Sequence, residues 1–433
     1  MRNWRIPNPK SVLRNPRSIP RILLPLLAVG IFIALILGSR QVASSFQTPV
    51  SAEDRLAKGE YAEALTIYAR LAGSENGSKD AKMTHLRLLL LTGKYPQAEE
   101  AALKYSASSP DPAWALMLGK ARQAQGNYPE AEAAFKTAAA PQSAVRSEAA
   151  MRLALLLKET GRLDESRAEF QRLHESMAGN QANLGVAAVA LQNLEQFQDA
   201  NSAFRQATEN NPKDVDTWNA WGWLFLEKYD KANAASVFED ALKASPNHPE
   251  ALLGMAMSLS EGDAERVQSL VEKALSVNPN LVDAHVFLGR AAVEAEQFDQ
   301  AADRLKKALE VNPNSLEAHS LKAVLHFARR EASELEQEIQ ALLKINPRYG
   351  DVYEDLADYA VTQRFYEQAV GYFRKALELN PRLWTAYSGL GINLLRLGDE
   401  KAAKEALETS YNNDAFNVWT VNTLRLIDSF ENF

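Results

Sequence analysis

The sequence predicts an all-α protein, a solenoid of about eleven helix-turn-helix units preceded by one transmembrane helix. Three observations lead to this fold class. Proline recurs with a period near 34 residues, small and aromatic residues repeat inside that period, and one uninterrupted apolar run lies near the N-terminus.

The period is read from the prolines that follow asparagine or serine. Their successive spacings are 34, 33, 34, 34 and 34 residues. A constant period of this length marks an array of units, none of which can bury its apolar face alone. The six prolines are Pro212, Pro246, Pro279, Pro313, Pro347 and Pro381.

The residues inside the period identify the array. One complete unit contains Trp218, Trp221, Gly222, Phe225, Ala234, Phe238, Ala241 and Pro246. This pattern resembles the tetratricopeptide (TPR) repeat, and the same register continues, with decay, from Ser45 to near Asn417. The resemblance implies antiparallel helix pairs stacked into a right-handed superhelix with a concave inner surface. We assign residues 51–414 to this solenoid.

Residues 415–433 are predicted to form a capping helix that covers the last unit. Helical spacing places five residues of this segment on one face, which would pack against the array. They are Phe416, Trp419, Thr423, Ile427 and Phe430.

The N-terminal segment has the features of a membrane anchor. Residues 1–21 contain basic residues and no acid, and the apolar run Ile22–Gly38 follows. As a helix this run spans roughly 25 Å, enough to cross a bilayer core at the lower limit. A cleaved signal peptide is the alternative, because Ala43-Ser44-Ser45 resembles a cleavage site. Both alternatives place the array outside the cytoplasm, on the periplasmic side of a bacterial inner membrane, with residues 39–50 as a tether.

Charge and composition narrow the classes of partner. Residues 41–433 carry 41 basic and 55 acidic residues, a net charge of −14. Such an acidic surface repels phosphate backbones, so nucleic acid is not an expected partner. The chain has no cysteine, which excludes disulfides and thiolate metal sites.

We find no catalytic, cofactor or metal motif, and expect the chain not to be an enzyme. His174-Glu175 lacks the second histidine of a zinc motif, and Gly93-Lys94-Tyr95 lacks the remainder of a phosphate loop. His285 and His319 occupy equivalent places in neighbouring units, with His326 two turns beyond His319. For these histidines, packing between helices is a simpler account than a metal site.

The repeat register also predicts which residues face the concave groove. Trp218 and Trp221 fall on the buried seam between helices, whereas the resemblance places Trp223 in the groove. A protein or peptide ligand would be held there, although Trp223 packing against a neighbouring unit remains an alternative. The candidate groove residues are Trp223, Leu226, Leu253, Met257, Val286, Arg290, Val324 and Phe327.

Acidic residues recur as the second residue of five successive units. We favour a role in offsetting the dipole of each leading helix, and a ladder for a basic ligand is the alternative. These residues are Asp216, Glu250, Asp283, Glu317 and Asp351.

These observations favour a membrane-anchored scaffold that binds protein or peptide partners and performs no catalysis. A second hypothesis comes from the C-terminal segment, where Phe416-Asn417-Val418 and Asn422-Thr423-Leu424 resemble the junction between bacterial TPR arrays and a peptidase MA-type domain. The chain would then be the substrate-presenting part of a membrane-bound zinc metallopeptidase whose catalytic domain is missing from this chain. A third hypothesis is an assembly factor for secreted polysaccharide or cytochrome.

Overall fold

The computed structural model describes residues 49–74, 77–176, 183–259 and 263–431. Within these ranges the regular elements are 23 helices, and none of them is both long and apolar enough to cross a membrane. The predicted basic segment, the predicted transmembrane helix at 22–38 and nearly all of the tether lie outside the described residues.

The helices form eleven consecutive pairs followed by a single helix. We call the first helix of each pair the leading helix and the second the trailing helix. Units 1 to 6 are α1 (Pro49–Ala57) and α2 (Tyr61–Gly73), α3 (Lys79–Leu91) and α4 (Tyr95–Ser108), α5 (Pro112–Ala124) and α6 (Tyr128–Ala138), α7 (Arg146–Glu159) and α8 (Leu163–Ser176), α9 (Leu184–Asn193) and α10 (Phe197–Asn210), α11 (Val215–Glu227) and α12 (Lys231–Ala244).

Units 7 to 11 continue the same arrangement, and α23 closes the array. They are α13 (Pro249–Ser258) and α14 (Ala264–Val277), α15 (Val282–Glu294) and α16 (Phe298–Val311), α17 (Leu316–Ala328) and α18 (Ala332–Ile345), α19 (Asp351–Thr362) and α20 (Tyr366–Leu379), α21 (Trp384–Arg396) and α22 (Glu400–Asn413), then α23 (Val418–Glu431). The prediction of an all-α array of stacked helix pairs is therefore confirmed.

Packing within the array depends on a large residue of the trailing helix meeting small residues of leading helices. Phe238 is fully buried, and its ring lies against Gly222 of its own unit and Gly254 of the next. A Cβ atom at either glycine would lie within 2.5 Å of that ring, so a larger residue would force the helices apart. The phenylalanines of this kind are Phe135, Phe170, Phe204, Phe238 and Phe373.

Successive superhelical turns of the array touch one another, a feature that the sequence did not predict. The turn inside each of units 1 to 6 meets the loop that follows the unit five places later, so one superhelical turn takes about five and a half units. We call this line of contacts the inter-turn seam. Most of its loops carry the asparagine-proline or serine-proline pair that defines the repeat period.

The contact made by unit 3 shows how the inter-turn seam is built. The Oδ1 atom of Asn312 accepts a hydrogen bond from the backbone N–H of Asn314 at 2.9 Å, which shapes the loop. The side chain of Asn314 then donates to the carbonyl oxygen of Gly126 at 2.9 Å, and the Tyr128 hydroxyl donates to the carbonyl oxygen of Asn314 at 3.0 Å. The Nδ2 atom of Asn312 lies 3.4 Å from the same hydroxyl. This loop therefore provides hydrogen-bond partners both for its own backbone and for the turn inside unit 3.

The other seam contacts vary in chemistry while keeping the same register. In unit 1 the Tyr61 hydroxyl donates to the carbonyl oxygen of Pro246 at 2.6 Å. In unit 4 an ion pair joins Arg348 to Asp164 at 3.3 Å. At the last contact, Lys228 pairs with Asp414 at 3.2 Å. The seam thus changes from neutral hydrogen bonds to ion pairs along the chain.

Unit 9 departs from the repeat pattern by placing Lys322 where a core residue is expected. The Nζ atom of Lys322 pairs with Glu338 at 2.7 Å, and Glu338 also contacts the Nδ1 atom of His319. Leu342, which replaces a small residue, is fully buried. Polar groups therefore fill part of this unit in pairs, as buried charges must.

The final helix α23 packs with a face different from the predicted one. Ile427 is buried as expected, but Thr420 is the other fully buried contact, whereas Trp419 is 64% exposed and Phe416 is 39% exposed. The Thr420 hydroxyl donates to Ser388 at 2.8 Å. The Trp419 ring therefore lies in solvent and does not pack as predicted, whereas Phe416, which precedes the helix, packs against Phe197 of unit 5 with ring centroids 4.4 Å apart.

Candidate functional site

The leading helices line the inside of the superhelix, which we call the inner wall. Residues on helices that are distant in sequence interact across it. Arg290 on α15 forms an ion pair with Asp355 on α19 at 2.9 Å, and Asp355 also accepts a hydrogen bond from Ser320 on α17 at 2.6 Å. The inner wall is therefore a single surface built by several units.

The acidic residues that recur as second residues lie on this wall. Asp283 and Glu317 reach water, yet the surrounding superhelix removes much of the bulk solvent that would stabilise their charge. This desolvation, together with Glu250 and Glu159, raises the pKa of Asp283 to about 6. Desolvation also raises the pKa of Glu317 to about 7, with Asp283 the largest charged contributor.

Unit 10 adds to the acidic region with further acidic residues that follow its second residue. Burial raises the pKa of Glu354 to about 8, and Asp358, Asp351 and Asp355 add to the rise. Burial and Asp355 raise the pKa of Asp358 to about 6, although Arg290 opposes this. The ion pair between Arg290 and Asp355 therefore does not offset the desolvation and repulsion that raise the pKa values of Glu354 and Asp358.

Asp216 experiences the opposite environment. Burial opposes its ionisation, but Lys120, Arg152, His248 and Arg87 together hold the pKa of Asp216 below its usual range. The inner wall is thus divided between a mixed-charge region around unit 6 and an acidic region in units 7 to 10. The role of offsetting helix dipoles does not explain that difference, because each of these acids begins a similar helix.

The apolar residues predicted to line the groove are used mostly for packing. Leu253, Val286 and Val324 are buried between units, with exposures of 1%, 8% and 3%. Trp223 is half-buried and meets the ring of Phe238 edge to face at 6.2 Å. These four side chains contribute to the core, and their part in binding stays a prediction.

The remaining predicted groove residues are more exposed to solvent. Leu226 and Met257 are half-buried, and Phe327 is held edge to face by Tyr359 and Tyr372. Arg290 is exposed at the site of its pair with Asp355. Of the eight predicted residues, Arg290 is the one whose surroundings are charged, whereas sequence analysis missed Glu354, Asp355 and Asp358.

The histidines have protein partners. His285 lies with Nε2 2.9 Å from the carbonyl oxygen of Pro279, and His319 contacts Glu338 and the carbonyl oxygen of Pro313. His326 pairs with Glu331 at 2.7 Å. Across the described ranges, no group of three or more histidine and acidic residues is arranged to hold a metal ion.

Sequence profiles of the tetratricopeptide repeat match most of this array. One profile matches residues 55–121 and 258–325, and a second matches residues 116–180, 186–249 and 354–417. The chain belongs to the tetratricopeptide-repeat family. Proteins with TPR arrays generally serve as interaction scaffolds.

A comparison of the fold with solved structures finds other helical proteins. The crystal structure of the APC/C hetero-tetramer Cut9-Hcn1 is 13% identical, with a TM-score of 0.41, and the match covers 87% of this chain and 95% of that chain. The yeast Tom70 structure is 14% identical, with a TM-score of 0.43, and covers 89% and 90% respectively. A comparison with curated proteins finds no match.

Proposed function

We propose that this TPR protein is a membrane-anchored, extracytoplasmic scaffold that binds a protein or peptide partner along its inner wall and performs no catalysis. The observation that carries the binding function is the clustering of Glu250, Asp283, Glu317 and Glu354 in the acidic region of units 7 to 10, where desolvation and, to a smaller extent, neighbouring carboxylates disfavour the charged forms of the last three. A partner that supplies positive charge would relieve this repulsion.

The chemistry of the wall indicates the kind of segment that fits. Glu317, Glu354 and Asp358 provide the charge, while half-buried side chains such as Met257 and Phe327 provide apolar surface between them. We therefore expect a segment in which basic and apolar residues alternate, held by desolvated ion pairs and by contact with these side chains.

The binding experiment compares two labelled ten-residue peptides by fluorescence anisotropy. One alternates lysine with leucine and the other alternates glutamate with leucine. We expect the basic peptide to bind with an affinity that falls as salt rises, and Glu317→Gln with Glu354→Gln together to weaken it about tenfold. Glu408→Gln removes one charge from the exposed outer surface and is the control. Equal binding of both peptides, or no effect of the double variant, would contradict the proposal.

The proposed location rests on the basic segment 1–21 and the apolar run 22–38. We expect the full chain, expressed in a Gram-negative bacterium, to remain in the membrane fraction after high-salt washing. Protease added to spheroplasts should digest the TPR array while a cytoplasmic marker stays intact. Recovery of the chain in the cytoplasmic fraction would contradict the proposed location.

A further inference from the structure

A cavity lies on the outer surface of unit 6, away from the inner wall. It opens between the trailing helices α10 and α12, with the leading helix α11 beneath it, and has a volume of about 490 Å³. This is within the range of small-ligand sites. Trp218, Trp221 and Phe225 form its floor. We call it the tryptophan crevice.

The floor of the tryptophan crevice is aromatic and fixed in place. The two indoles are stacked, with ring centroids 5.7 Å apart and an angle of 24° between their planes. The Nε1 atom of Trp221 donates to Asn201 at 2.8 Å, and that of Trp218 donates to the carbonyl oxygen of Pro212 at 3.0 Å. Because both N–H groups have partners, a ligand would meet a ring face, chiefly that of the half-buried Trp218 since Trp221 is buried beside it. Such faces carry negative electrostatic potential and attract cations.

The walls add carboxylates on opposite sides of that floor. Glu209 belongs to α10 and Asp240 to α12, and Arg205 is the one basic residue that lines the crevice. Asp240 pairs with Lys243 at 2.9 Å, but both side chains are exposed, so a ligand can replace this weak pair. The net charge of the lining is −1, which complements a cation.

Unit 3 contains the same crevice without this chemistry. There the lining includes Ala115, Leu118 and Arg122, contains no carboxylate, and encloses about 240 Å³. The repeat architecture therefore produces a crevice in both places. Unit 3 supplies the single indole of Trp114, so the stacked pair of indoles and the two carboxylates distinguish unit 6.

We propose that the tryptophan crevice is a second binding site, which takes an arginine side chain of a partner polypeptide. The guanidinium group would stack on an indole face and pair with Asp240 or Glu209 at the walls. Its planar, weakly hydrated cation suits a flat aromatic floor better than an ammonium does. This site goes beyond the proposed inner-wall function, and either can fail without the other.

The test uses the full chain labelled with 5-fluorotryptophan and observed by fluorine NMR, with single tryptophan-to-phenylalanine variants to assign the signals. The probes are N-acetyl-arginine amide and N-acetyl-citrulline amide, which have similar shapes but differ in charge. We expect arginine to shift the Trp218 and Trp221 signals and citrulline to leave them in place. Trp114, which lines the unit 3 crevice, should not respond.

Two substitutions that change the charge of the lining in opposite directions test the proposal further. Asp240→Asn should raise the dissociation constant of N-acetyl-arginine amide about threefold, and Arg205→Gln should lower it about twofold, because they change the charge of the lining in opposite directions. Glu239→Gln is the matched control, since Glu239 is the exposed neighbour of Asp240 and also pairs with Lys243. Equal shifts with citrulline, an equal response of Trp114, or changes of the same sign in both variants would overturn the proposal.

Discussion

The inter-turn seam and the acidic region of the inner wall are both polar, but they differ in how their polar groups are satisfied. At the seam, Asn314 and Tyr128 bond with groups of the adjacent superhelical turn. On the wall, Glu317 and Glu354 repel their neighbours. Paired groups stabilise the architecture, whereas groups left in mutual repulsion are available to a partner.

The largest effect is expected at the seam glycine Gly59. This residue has φ of +70°, and a Cβ atom there would lie 2.1 Å from the carbonyl oxygen of Pro246. Gly59→Ala should destabilise the protein by about 3 kcal/mol, from backbone strain together with overpacking. Gly398→Ala is the control, because Gly398 has φ of +85° but no atom within 4 Å of that position. It should cost about 1 kcal/mol.

Urea denaturation measures the stability of both variants, and small-angle X-ray scattering measures the length of the solenoid. The Gly59 variant should also lengthen the particle, because the steric clash separates the turns. Equal losses of stability in the two variants would show that contacts across the seam add nothing.

A smaller effect is expected from the tyrosine at the start of a trailing helix. Tyr128→Phe removes the hydroxyl whose single proton is shared between Glu159 at 2.5 Å and the carbonyl oxygen of Asn314 at 3.0 Å, so the half-buried carboxylate loses a donor and the seam loses a contact. The expected loss is about 1 to 3 kcal/mol. Tyr366 begins α20 in unit 10, and Tyr366→Phe should cost less than about 0.5 kcal/mol. Thermal unfolding compares the two variants. A similar shift of the melting temperature in both would mean that the contacts of the Tyr128 hydroxyl contribute nothing to stability.

The carboxyl groups of the inner wall should make the free energy of unfolding depend on pH. The sign of this dependence is opposite to that of an acid whose charge is stabilised by a cation. The folded-state pKa of Glu354 is raised to about 8 and that of Glu317 to about 7, both above the ordinary glutamate pKa of 4.5. The folded state therefore binds more protons than the unfolded state between about pH 4.5 and 8, so these groups make stability fall as pH rises through that window.

Glu354→Gln should flatten this decline, since glutamine does not ionise. Melting temperatures measured from pH 5 to 8 in the parent chain, the Glu354 variant and the outer-surface control Glu408→Gln test the effect. A curve for the Glu354 variant that parallels the parent would mean that its carboxyl group does not titrate in this window.

The sequence predicted the repeated units well because their packing is local. Phe238 and the glycines around it are 16 residues apart on either side, and such spacing is visible in a single chain. The seam could not be predicted in this way. Gly126 and Asn314 are 188 residues apart, and their pairing depends on small rotations summed over five units.

The candidate site was predicted only in part for a related reason. The spacing identified Asp283 and Glu317, but a lone acid at the start of a helix is fully explained by the helix dipole. Their raised pKa values arise because the superhelix desolvates both carboxyl groups and brings other acids close, among them Glu159 of an earlier turn. Trp223 and Val324 contribute to packing between units, which their apolar character alone could not distinguish from a part in binding.

The inter-turn seam also changes how this chain must fold. In an open solenoid each unit contacts only its neighbours, so folding can begin anywhere and spread in short steps. Here Tyr61 cannot meet Pro246 until six units have been synthesised and stacked. These distant contacts raise the contact order, which slows folding and couples the two ends of the array. Deleting one whole unit would preserve the remaining helix pairs, yet every seam contact that spans the deletion would meet the wrong loop.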